Sequence, residues 1–130
     1  MKKILFLLSI MTSTPSFADY AWMTAYAEPA YGKVNEDIKV NSKHSVNICN
    51  DTGIAKQYKI TYKINCYNMT SIIETNVNVP NDKCVYYSHD YNTGQVKIPV
   101  VGNYDIKAIT MVEGVNDHPI ENLATLQVVY

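Results

Sequence analysis

From Tyr58 onward the chain alternates. Tyr58, Ile60, Tyr62, Ile64 and Cys66 share one parity, and Lys59, Thr61, Lys63 and Asn65 share the other. A period of two in β-branched and aromatic residues predicts a half-buried strand with its lysines toward water. His44–Cys49 precedes it, with Val46 and Ile48 in phase. Between them, Asn50-Asp51-Thr52-Gly53 reads as a turn, with glycine available for positive φ. Ser71–Val79 carries Ile73, Val77 and Val79 on one parity until Pro80–Lys83 breaks the pattern. Cys84–Ser88 reads as a short strand and His89–Gly94 as a polar loop. Gln95–Val101 comes next, with Pro99 demoting it to an edge or a bend. Tyr104–Glu113 and Asn122–Tyr130 are the last two strands, joined by Gly114–Pro119. Tyr20–Ala27 and Glu36–Val40 are weaker strand candidates. No segment has a convincing helical period, and there is no internal repeat.

Some seven or eight short strands at roughly 8–12-residue spacing predict an all-β sandwich or barrel. A single immunoglobulin-like antiparallel β-sandwich suits the length best. Val101-Gly102-Asn103-Tyr104-Asp105-Ile106-Lys107-Ala108 resembles the Gly-x-Tyr entry into the penultimate strand of immunoglobulin-like domains. That resemblance implies a tyrosine corner at Tyr104, its hydroxyl bonding back to nearby backbone. The Cys-Trp-Cys order of antibody domains is missing, because Trp22 precedes all three cysteines.

The first residues stand apart from this pattern. Lys2 and Lys3, the apolar run Ile4–Met11, and Thr12–Ala18 ending in Ser-Phe-Ala form the three parts of a secretory signal, in order. Residues 1–18 are therefore expected to be removed, leaving 19–130 as one domain. The apolar run is far below the ~20 residues of a spanning helix, so no membrane span remains after cleavage. The Met-Lys-Lys start is of bacterial type, which implies a periplasmic or secreted protein. All 11 basic residues are lysine; two leave with the signal and all 12 acidic residues stay, so the mature charge is −3. A mildly acidic chain without a clustered basic face is not a nucleic-acid binder.

Export places Cys49, Cys66 and Cys84 in an oxidising compartment. Strand order puts Cys49 and Cys84 at one end of the sandwich and Cys66 at the other. Bridged Cα atoms must lie within about 7 Å. Cys49–Cys84 with Cys66 free is therefore the preferred pairing, and Cys66–Cys84 is the alternative if Ser71–Val79 bends.

Candidate chemistry is sparse. Ser88-His89-Asp90 has the letters of a hydrolase triad, but neighbours on a strand point to opposite faces and cannot form a relay. His44, His89 and His118 lack metal-ligand spacing, and the five glycines form no phosphate loop. No catalytic residue, metal or cofactor is expected. The 11 tyrosines are the unusual feature. Tyr86, Tyr87 and Tyr91 gather with His89 around one expected loop, where a rigid amphipathic ring serves contact. With Asp117 and His118 of the Gly114–Pro119 connection, they form the expected contact surface.

These features point to a non-enzymatic binding or structural module with a protein partner, acting by loops or by a free sheet edge. Two alternatives follow from resemblances. Asn50-Asp51-Thr52-Gly53 is similar to the Asn-Pro-Thr-Thr-Gly loop of chagasin-like cysteine protease inhibitors, and His118-Pro119-Ile120 stands where that family has Arg-Pro and an aromatic. The alternation of Ala124, Leu126, Val128 and Tyr130 resembles the closing strand of a small outer-membrane barrel.

Overall fold

A computed structural model describes residues 19–115 and 118–130; the expected signal, 1–18, lies outside the described residues. Eight strands follow one another: β1 Asp19–Ala27, β2 Ala30–Lys33, β3 Asp37–Asn50, β4 Lys56–Cys66, β5 Met69–Val79, β6 Lys83–Lys97, β7 Gly102–Glu113 and β8 Ile120–Val129. They form two sheets, in the orders β1-β3-β6 and β2-β8-β7-β4-β5. All ladders are antiparallel except β2 on β8, which is parallel. The chain therefore starts in the smaller sheet and crosses to the edge of the larger one within its first two strands. This is an immunoglobulin-like β-sandwich. The two sheets share no ladder among the described residues, so the barrel expectation fails. Side chains from both inner faces fill the space between the sheets, as in a sandwich core.

Alternation explains the core directly. Tyr58, Ile60, Tyr62, Ile64 and Cys66 of β4 are all buried, and β3 buries every even position from Ile38 to Ile48. The core falls into two apolar clusters. Ile38, Val40, Ile64, Ile106 and Leu126 belong to one, and Val46, Ile48, Tyr58, Ile60 and Val79 to the other. Between them lies a polar belt of Ser42, His44 and Thr110, all buried. His44 satisfies both ring nitrogens there, Nε2 with Ser42 Oγ at 2.7 Å and Nδ1 with Thr110 Oγ1 at 2.8 Å. Thr110 donates its own proton to the Thr24 carbonyl at 2.8 Å. It must then accept from Nδ1–H, which leaves Nε2 to accept from Ser42.

Two expectations need correction, and one strand is new. The separate candidates Glu36–Val40 and His44–Cys49 are one strand, β3. The four-residue β2 had no sequence signal of its own. Most consequentially, His89–Gly94 is not a loop: β6 runs unbroken from Lys83 to Lys97. Its ladder with β3 continues on both sides of a register shift, where Asp90 and Tyr91 together face Lys43. This is a one-residue β-bulge, with Tyr91 in the left-handed region at φ 60°. The long β3 supplies hydrogen-bond partners along the whole of β6, which outweighs the turn-forming composition of that stretch.

Candidate functional site

The bulge decides which tyrosines meet. Tyr86 points outward from the smaller sheet, and five residues later Tyr91 does so too, because the extra residue resets the alternation. Tyr87 and His89 take the other parity. His89 stacks on the buried Tyr62, ring centroids 5.5 Å apart, and Tyr87 is only partly exposed. The expected cluster of Tyr86, Tyr87, His89 and Tyr91 is thus divided between the two faces of one strand. Asp117 lies outside the described residues. His118 is exposed and lines a shallow cleft of about 420 Å³ with Ala21, Trp22, Met23 and Ile120.

The structure brings other residues to Tyr86. Across the smaller sheet, register rows place Tyr20 opposite Cys49 and Cys84, Trp22 opposite Asn47 and Tyr86, and Thr24 opposite Ser45 and Ser88. The next row holds Tyr26, Lys43 and the bulge. Trp22 is 70% exposed and Tyr86 66%, and Tyr20, Tyr26 and Tyr91 are also exposed. Aromatic side chains thus stand along both edge strands, and the short polar side chains of β3 form the floor between them. Sequence reasoning missed Tyr20, Trp22 and Tyr26. Their shared parity on Tyr20–Ala27 was the available signal, but their distance from Tyr86 depends on the strand order.

The surroundings of this face are held firmly. Cys49 and Cys84 form a disulfide across the β3–β6 ladder, and Cys66 is free and buried. Lys43 lies 5.3 Å above the Tyr91 ring and 3.8 Å from Glu28. The Thr24 and Ser45 hydroxyls bond to each other. Asn47 makes one long contact, from Nδ2 to Cys49 Sγ at 3.8 Å.

The end of the sandwich beside Cys49 is also ordered. The Asn50 side chain accepts from the Thr52 amide and hydroxyl and donates to the Ile54 and Val79 carbonyls. The Gly53 amide, at φ 96°, donates to Asn81 Oδ1 at 2.8 Å. Nearby, Asp19 accepts from Lys56 at 2.7 Å and from Tyr58 at 2.8 Å. Burial opposes ionisation of Asp19, but those two donors outweigh it and hold the carboxyl below its usual range. At the opposite end the Tyr104 hydroxyl donates to the Val100 carbonyl at 2.7 Å, the tyrosine-corner contact.

His44 is the most perturbed histidine. Burial, and then the charge of nearby His89, lower its pKa to about 4. It neighbours a serine, but both are sealed in the core, so the pair braces the sandwich and has no substrate path. Burial, and then Asp105, raise the Cys66 thiol. No group of three or more His, Cys, Asp or Glu among the described residues could hold a metal ion.

No family model matches the chain, and no curated protein matches it either. Solved structures match at low similarity. The CARDB domain of the PF1109 protein from Pyrococcus furiosus, solved in complex with di-metal ions, is 18% identical over 90% of this chain and 98% of its own, with a TM-score of 0.39. A solution structure of the same domain gives 19% identity over 85% of this chain and 96% of its own, at a TM-score of 0.38. The structural-genomics target SoR45 is 10% identical over 90% of each chain, with a TM-score of 0.41. These likenesses carry nothing about metal, partner or activity.

Proposed function

We propose that the protein is an exported, non-enzymatic β-sandwich module that binds a partner through the outer face of β1-β3-β6, in the cell envelope or outside the cell. The observation that carries this reading is the set of five exposed aromatic residues on that one face. Single exposed apolar side chains are ordinary, whereas several large rings gathered on one face mark a contact surface. β1 and β6 are the edge strands of the small sheet and join no further ladder among the described residues.

The test compares the two faces by co-sedimentation of the disulfide-bonded protein with whole bacterial envelopes. Trp22→Ser with Tyr86→Ser should release the protein to the supernatant. Lys63→Ser with Lys107→Ser, on the outer face of the larger sheet, should leave it bound. Equal retention of both double variants refutes the reading.

The ordered end carries a second reading, contact by loops as in cysteine protease inhibitors. Ile54 is 70% exposed on the segment that Asn50 and Asn81 brace. Slowing of papain by micromolar protein, lost in Ile54→Asp, supports it. Full papain activity at that concentration ends it.

A further inference from the structure

We propose that the aromatic face takes a chain of uncharged sugar rings, a neutral polysaccharide lying along the strands. This deepens the binding reading above and rests on it. The argument begins with the order of groups across the sheet. A protein–protein contact has its apolar anchors at the centre and polar groups at the rim. Here the order is reversed: Trp22 and Tyr86 stand on the two edge strands, and Asn47 lies between them. Two inter-strand spacings separate these walls, about 9.5 Å between backbones. A sugar ring matches that inversion, with apolar C–H faces to stack on aromatic rings and hydroxyl edges to bond a polar floor. Asn47 and Ser45 supply amide and hydroxyl groups there, and the Asn47 amide is engaged only by the long sulfur contact.

Charge complementarity selects a neutral partner. The three rows from Tyr20 to Ser88 contain no charged side chain. The next row adds Lys43, already held by Glu28 and the Tyr91 ring, and the exposed Asp90 of the bulge. A polyanion such as nucleic acid requires a basic groove beside its stacking platform, and this face has none. Length selects a chain over a single ring. From Tyr20 to Tyr26 the aromatic edge runs six residues, about 20 Å.

Trp22 is the only tryptophan, so its fluorescence reports on this face and on the cleft beside it, and Tyr86 variants tell the two apart. The disulfide-bonded protein is titrated with cellohexaose, maltoheptaose and chitohexaose, with heparin as the charged control. At least one neutral oligosaccharide should shift Trp22 emission to the blue and saturate, and heparin should not. Tyr86→Ala should weaken that binding at least tenfold at unchanged melting temperature. Tyr86→Phe should restore most of it, because stacking needs the ring. The proposal is overturned if none of the three oligosaccharides perturbs Trp22. If a protein fraction of the envelope still perturbs it, the face binds protein and the broader reading survives. If nothing does and the serine variants remain envelope-bound, both fail.

Discussion

On the outer face of the larger sheet, lysine and glutamate face each other across the ladders. Lys59 lies 3.5 Å from Glu74 and Lys107 3.7 Å from Glu121. Ile72 and Leu123 are exposed there but lie on strands separated by β4 and β7. The outer face of the smaller sheet is built by the same alternation and ends in the opposite chemistry. Its exposed positions hold tyrosine, tryptophan, serine and asparagine, and charges enter only toward one end. Alternation determines which side chains face water in both sheets; it says nothing about what they meet there. An ion-paired face is adequately hydrated as it stands, whereas five large rings on the two edge strands leave apolar area that association would bury.

The contrast can be broken or sharpened experimentally. The largest effect is expected at the disulfide, which anchors the aromatic sheet and has no counterpart in the other. Cys49 and Cys84 are 35 residues apart, and a loop of that size implies about 3–4 kcal/mol lost in Cys49→Ala/Cys84→Ala, read by urea unfolding. A loss under about 1 kcal/mol would mean that the β3–β6 ladder holds this sheet unaided.

Acid comes next. The folded pKa of His44 is about 4 against 6.5 for the free side chain, so the native state binds fewer protons. Stability is therefore full above pH 6.5 and declines as pH falls toward 4, by up to about 3 kcal/mol. Asp19 adds a separate loss only below its ordinary value of 3.8, because its folded pKa is lowered further. His44→Gln should flatten the decline between pH 6.5 and 4 and leave the lower step. Unchanged slopes in urea titrations across that window would contradict the belt's role.

Tyr104→Phe removes one hydrogen bond at the far end, and about 1 kcal/mol of stability should go with it. Envelope binding should not change. The smallest stability effects are expected on the faces themselves. Trp22→Ser with Tyr86→Ser should move unfolding by about 0.5 kcal/mol or less, as exposed substitutions usually do. Lys107→Ser should do the same, since an exposed ion pair contributes little. The faces would then differ in binding and not in stability. A drop of 2 kcal/mol for the aromatic pair would recast those rings as a structural layer.

Much of the architecture could be read along the chain. The parity of Tyr58–Cys66 identifies core residues one by one, and strand order brings Cys49 and Cys84 to the same end. Reading failed where polar residues are buried. Ser42, His44 and Asn92 lie inside the sandwich, so β3 looks interrupted and the middle of β6 looks like a loop. Their hydrogen bonds run mainly to other strands, for example His44 to Thr110, and no local window contains both partners. β2 is four residues long and depends on β8 for its ladder. Half of the aromatic face is visible along the chain: Tyr86 and Tyr91 read as a loop cluster, and nothing local joins Trp22 to them.

The bulge at Asp90 and Tyr91 gives the chain a defined phase slip. The half of β6 before it keeps step with β3 by one count, and the half after it by another. Substitution anywhere in β6 changes one side chain. Deletion of Asp90 would merely merge the two counts, because Tyr91 alone would face Lys43 and Val96 would keep Ile38 as its partner; one residue inserted after Asn92 would instead turn Val96 toward water and Gln95 and Lys97 toward the core. The stretch after the bulge is therefore far less tolerant of added length than of altered letters. Variants of this fold that keep the aromatic face should conserve the number of residues between Asn92 and Val96 more strictly than their identities.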